Sequence, residues 1–177
     1  ATASRIGIGL GHVASSLVGD KLLAKLSGGK WKVGMPHAGK APSAYAGGGD
    51  PVVYFPACGG RIFGANSNAE ATLPEVIMEL LVRAGYAPIL PEGFDKLCCG
   101  QMLESKGMAE EANEMADAVT QALLKAADNG QGGFYPVIMD ASTCSARMQK
   151  VLAGRLKLMD FHEFAHDALL PRLHLTK

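Results

Sequence analysis

The chain has 177 residues, with 17 basic and 17 acidic side chains, 6% aromatic residues and four cysteines. Balanced charge argues against a strong field for nucleic acid or anionic lipid, and so few aromatics argue against a stacking surface for single strands. Four cysteines are too sparse for a secreted disulfide scaffold, so a reducing, cytoplasmic compartment is expected, and the length suits one domain or one domain with an appendage.

No apolar run approaches the roughly 18–20 residues that span a bilayer. The chain begins at Ala1 rather than Met, which predicts a processed product or a fragment. Residues 1–28 read as a helical lead segment, with Val13, Leu17, Leu22, Leu23 and Leu26 at helix-like intervals and a stop at Ser27-Gly28-Gly29-Lys30. Residues 28–50, rich in Gly, Pro, Ala and Ser, read as a linker. The apolar run Pro51–Cys58 predicts a buried strand. Thr72-Leu73-Pro74-Glu75 opens a helix, capped by Thr72, with Val76, Leu80 and Leu81 on its apolar face and Gly85 as its stop. Residues 87–91 give a second strand. A long helix over about 107–128 carries Ala112, Met115, Ala116, Val119 and Leu123 on one stripe. A third strand covers 135–140, a helix about 144–153, a fourth strand 156–160 and a closing helix 161–170.

This alternation predicts an α/β domain over residues 51–177, with a mostly parallel sheet of about four strands flanked by helices. Residues 1–50 form its helical lead and linker. In such sheets, sites form where loops leave the carboxyl ends of strands. Cys58 ends the first strand, Cys98 and Cys99 follow the second, and Cys144 follows the third, so all four should share one edge.

The adjacent pair Cys98-Cys99 is the most informative element. Neighbouring side chains rarely form an unstrained disulfide, whereas two thiolates on one turn can face a metal. Thirty-nine residues separate Cys58 from the pair, and 44 separate the pair from Cys144. That spacing is unlike a zinc ribbon or a ferredoxin run, so a fold must gather the ligands. Soft thiolates select zinc, copper(I) or iron–sulfur iron. Gly100 allows a tight turn or close approach beside the sulfurs. Arg61 and Arg147, each three residues past a cysteine, either hydrogen-bond cluster sulfur and offset thiolate charge or lie solvated on the surface. The plainer alternative is that the cysteines are small buried hydrophobes.

These residues resemble the cysteine-rich CCG domain that occurs in heterodisulfide reductases and in the iron–sulfur subunits of glycolate and lactate oxidases. The runs Val53–Cys58, Pro91-Glu92-Gly93, Leu97–Gln101, Glu104–Gly107, Asp140–Cys144, Asp160–Phe164 and Leu169–Leu173 resemble the C-terminal part of FAD-linked D-lactate dehydrogenases. The resemblance covers about residues 52–173. It implies a CCG-type domain in which Cys58, Cys98, Cys99 and Cys144 hold an iron–sulfur cluster, a 4Fe-4S cubane being favoured and zinc the other metal considered. It also implies FAD in another part of the parent protein, and a flavin domain and a ferredoxin-like domain as partners. Electrons from a 2-hydroxy acid would pass to a quinone or cytochrome, at the inner face of the membrane. Several CCG domains end in Cys-x-x-Cys, but here Cys144-Ser145-Ala146-Arg147 offers a single cysteine. This argues against the paired-cluster disulfide chemistry of heterodisulfide reductase. No group resembles a substrate base, so the chain alone is not expected to oxidise lactate. The competing readings are a zinc-binding or metal-free docking module and a thiol–disulfide oxidoreductase using the vicinal pair.

Two other patterns carry less. Gly7-Ile8-Gly9-Leu10-Gly11 resembles a nucleotide fingerprint, but no strand precedes it. His162-Glu163-Phe164-Ala165-His166 matches the zinc-protease pattern, which still needs a third ligand and a cleft.

Overall fold

A computed structural model describes residues 2–64 and 71–173. The elements run α1 (Thr2–Val18), α2 (Asp20–Leu26), β1 (Asp50–Phe55), α3 (Cys58–Ile62), α4 (Leu73–Arg83) and β2 (Tyr86–Ile89). Then come a 3-10 turn at Phe94–Lys96, α5 (Gln101–Glu104), α6 (Ala109–Ala127), β3 (Val137–Met139), α7 (Ser142–Leu152), β4 (Leu158–Asp160) and α8 (Phe161–Phe164). The closing helix does not stay α-helical: after α8 it widens to a π turn at Ala165–Leu169 and ends in a 3-10 turn.

The four strands make one all-parallel sheet in the order β2-β1-β3-β4. Period-two alternation sends β1 side chains to two separate cores. Val53 and Phe55, with Val137 and Met139, pack under Ala116, Val119 and Leu123 of α6 and Met148 and Leu152 of α7. Val52 and Tyr54, with Ile138, pack under Ile77, Met78 and Leu81 of α4 and under Phe164 and Leu169. The sheet is thus covered on both faces, as its near-continuous apolar strands require.

Several expectations are corrected. The lead segment is two helices, broken at Gly19, whose φ of 83° suits glycine and no branched residue. Of its apolar residues, Val13, Leu17, Leu22 and Leu26 are exposed and only Leu23 of the expected stripe is half-buried. Residues 28–50 are more than a linker. Trp31 is buried, its Nε1 donates to Asp20 at 3.0 Å, and Ala38 bridges Phe63 beside α3. In α4 the inward stripe is Pro74, Ile77, Met78 and Leu81, spaced at three and four residues, so Val76 is exposed. Met115 likewise sits on the outer side of α6, which buries Ala112, Ala116, Val119, Thr120 and Leu123 instead.

At the start of α4 the Glu75 carboxylate accepts from the Thr72 amide and hydroxyl, both at 2.8 Å. The amide contact, then the hydroxyl, lowers its pKa. Glu75→Ala should cost about 0.5–1 kcal/mol, the usual range for a lost cap. Because the folded pKa is lowered, this stabilisation is complete above the ordinary Glu range and fades as pH falls through the folded value. Urea melts of both forms at neutral and at acid pH check this, since the gap between them should close in acid.

Candidate metal centre

All four cysteines gather at the carboxyl edge of the sheet, where the connections from β1 and β3 depart to opposite sides. Such a switch point leaves a crevice between adjacent strand ends. Cys58 is the first residue of α3, immediately beyond β1. Cys98 and Cys99 follow the 3-10 turn, and Gly100 at φ 80° turns the chain into α5. Cys144 lies in the first turn of α7, which begins at Ser142 after Ala141.

None of the four is in a disulfide. The four thiols shift one another's proton affinity, Cys58 with Cys98, Cys98 with Cys99 and Cys99 with Cys144 most strongly. Hydrogen bonds from Cys58 and then Cys99 hold the Cys98 thiol well below the ordinary range, with help from the Gly100 amide. The contact with Cys99 lowers Cys144. The donors move the other way: Cys58 is raised by its bond to Cys98 and then by burial, and Cys99 by its bonds to Cys144 and Cys98. Four thiols suit a thiophilic metal in kind and number. Among the described residues, however, no three His, Cys, Asp or Glu side chains are grouped as a metal-binding set.

The arginines have a clearer role than the sequence suggested. Arg61 is fully buried. Its Nε donates to the Pro56 carbonyl at 3.0 Å, one terminal nitrogen to the Leu97 carbonyl at 2.7 Å and the other to the Phe94 carbonyl. Its guanidinium carbon lies 5.5 Å and 5.9 Å from the centres of the Phe55 and Phe94 rings. Burial lowers its pKa, opposed by the charges of Cys58 and Cys98. Arg147, also buried, donates from Nε to the Cys99 carbonyl at 2.8 Å and from a terminal nitrogen to Asn113 at 3.0 Å, and it pairs with Glu104. Neither is a solvated surface residue. Each fastens the backbone of the cysteine loop, and Arg61 also brings positive charge close to Cys58 and Cys98. Asp140, just after β3, fastens the first loop, accepting from the Ala57 amide at 2.6 Å and the Tyr54 hydroxyl at 2.7 Å. Sequence reading missed Asp140, although its place between a buried strand and Cys144 was a usable signal.

Gly100 combines a left-handed turn with a close approach, but to α6 rather than to sulfur: a β-carbon there would lie 2.3 Å from the Ala112 carbonyl oxygen. Lys106 is exposed. A cavity of about 430 Å³ beside this edge is lined by Gln101, Glu104, Asn113, Thr143, Arg147 and Lys150.

The two lesser motifs lose their functional readings. Gly7–Gly11 lies in mid-helix in α1, not at a strand-to-helix turn. His162 and His166 are highly exposed and fall on opposite sides of the α-to-π transition. Each ring contacts an aspartate near it in sequence, Asp160 at 2.8 Å and Asp167 at 2.6 Å.

No family model, curated protein or solved structure matches this chain.

Proposed function

We propose that this chain is an electron-relay domain, with Cys58, Cys98, Cys99 and Cys144 as ligands of an iron–sulfur centre, in a flavin-linked dehydrogenase of D-lactate or a similar 2-hydroxy acid. The convergence of four thiols from three loops at one switch point carries the reading. When bound, an iron–sulfur group supplies one-electron storage. The chain's own part is to hold the ligand loops and tune their charge. Arg61 and Arg147 hold the Leu97 and Cys99 carbonyls, and the charge of Arg61 offsets that of the thiolates, which raises a reduction potential. The resemblance supplies the remainder: FAD and ferredoxin-like modules in the parent protein, and a quinone or cytochrome as acceptor.

Anaerobic reconstitution of the chain with ferrous iron and sulfide tests the proposal. Iron and sulfide should be retained in near-equal amounts, with a paramagnetic signal after reduction, and Cys98→Ser should lose both. Retention of zinc alone by protein purified without added metal would make the domain a structural module instead.

The mutual shifts of the thiols favour one second reading, dithiol chemistry. Cys58 and Cys98 come from different loops and each shifts the other's proton affinity; in that reading they close a disulfide while a disulfide substrate takes up the two electrons and two protons and leaves as two thiols. Turnover of a small disulfide by metal-free protein, abolished in Cys98→Ser, would select that reading over the relay.

A further inference from the structure

Zero net charge conceals a strong separation along the chain. Residues 1–40 carry six Lys or Arg and one Asp, a net +5, and the other 137 residues carry the balancing −5. The helix within that basic segment is built inside out. Ile6, Leu10, Val13 and Leu17 follow one another at four, three and four residues, which confines them to a stripe about 60° wide. All four are exposed, from 59% at Ile6 to 80% at Leu17. The opposite side of α1, turned to the domain, holds polar and small residues apart from half-buried Ile8. Arg5 pairs with Asp95 at 3.7 Å, the His12 ring meets the Pro36 carbonyl at 3.1 Å, and Gly11 lies against the Trp31 ring. In α2, exposed Leu22 and Leu26 lie beside exposed Lys21 and Lys25, and Lys30, Lys32 and Val33 continue the pattern in the following turn.

We infer that α1, α2 and the turn after them form a docking surface for anionic phospholipid bilayers. An apolar stripe facing outward needs a cover, and a basic border selects a negatively charged one. A second copy is a poor cover, because it would bring two +5 segments together. A bilayer with anionic headgroups attracts this segment and repels the −5 remainder, so the same charge separation that binds the chain also orients it. Among the described residues no helix is long and apolar enough to cross a membrane. The segment therefore lies in the interface, with α1 flat over about 25 Å and its stripe at the headgroup boundary. Since α1 packs against α3, the helix that Cys58 begins, docking holds the thiol edge close to the membrane surface. The docking itself does not depend on what the thiols bind.

Co-sedimentation of the full chain with phosphatidylcholine vesicles, with and without about 30% phosphatidylglycerol, tests this directly. The chain should partition onto the anionic vesicles and stay in solution with the neutral ones. Partition should fall about tenfold or more in roughly 0.5 M salt, where charges are screened within a few ångströms. The double variants Leu10→Glu/Leu17→Glu and Lys21→Glu/Lys25→Glu, all at exposed positions, should each reduce it as much with unchanged circular dichroism. Absence of partition onto anionic vesicles overturns the inference, as does equal partition onto neutral ones or unchanged partition of the variants. A dimer in solution that Leu10→Glu/Leu17→Glu dissolves, without lipid binding, assigns the stripe to a second copy and overturns it too.

Discussion

Replacing Arg61 by methionine should destabilise the fold by about 3–5 kcal/mol, the range for removing one partner of a buried charged contact. Methionine fills most of the volume, so the loss is one of hydrogen bonding rather than packing. The Pro56, Phe94 and Leu97 carbonyls lose their donor, the first buried and the other two half-buried. Lysine should not rescue the variant, because a single ammonium cannot reach carbonyls from two loops with a planar fork. The urea midpoint should fall sharply with little change in slope. Arg83→Met, which removes only an exposed pair with Glu79, should cost at most about 0.5 kcal/mol and serves as the control. A loss below about 1 kcal/mol at Arg61 would mean that the two loops hold together without it.

Gly100→Ala should be nearly as costly, about 2–5 kcal/mol, by a different route. A left-handed backbone costs a non-glycine residue about 1–2 kcal/mol. The added methyl would also meet the Ala112 carbonyl oxygen at 2.3 Å, its α-carbon at 2.8 Å and its carbonyl carbon at 2.9 Å. These are backbone atoms of α6 and cannot rotate away, so overpacking adds about 1–3 kcal/mol. Gly107→Ala separates the two contributions: its φ is 81°, but nothing lies within 4 Å of the new methyl. Only the backbone cost, about 1–2 kcal/mol, should appear there. Because the clash pushes the loop off α6, Gly100→Ala should also speed the reaction of Cys99 with a thiol reagent. Equal stability losses at the two glycines would remove the clash from the account.

The α/β alternation was legible because apolar runs such as Val52–Phe55 and the 3.6-residue stripe of α6 are local signals. The cysteine edge followed from topology alone, since all four residues trail strands. What stayed hidden was what depends on tertiary partners. Short elements such as α3 and α5 hold four or five residues, too few to show a period. The outward turn of Leu10 and Leu17 could not be read, because an apolar stripe is the same in sequence whether it faces a core or solvent. The clamping roles of Arg61 and Arg147 depend on carbonyls 36 and 48 residues away, and nothing in their local sequence marks them.

The strand order carries a consequence for how the chain is made. β1 gains β2 as a neighbour soon after synthesis, but its other flank stays open until β3 has been translated. Contacts of such long sequence separation form late, and a growing chain folds from its first part onward. Cys58, Cys98 and Cys99 therefore exist for a time on an unfinished sheet, without the α6–α7 layer that later shelters Cys99. The interval between translation of the pair and of Cys144 is when its thiols are most open to oxidants, so the damage most harmful to this domain precedes its folding.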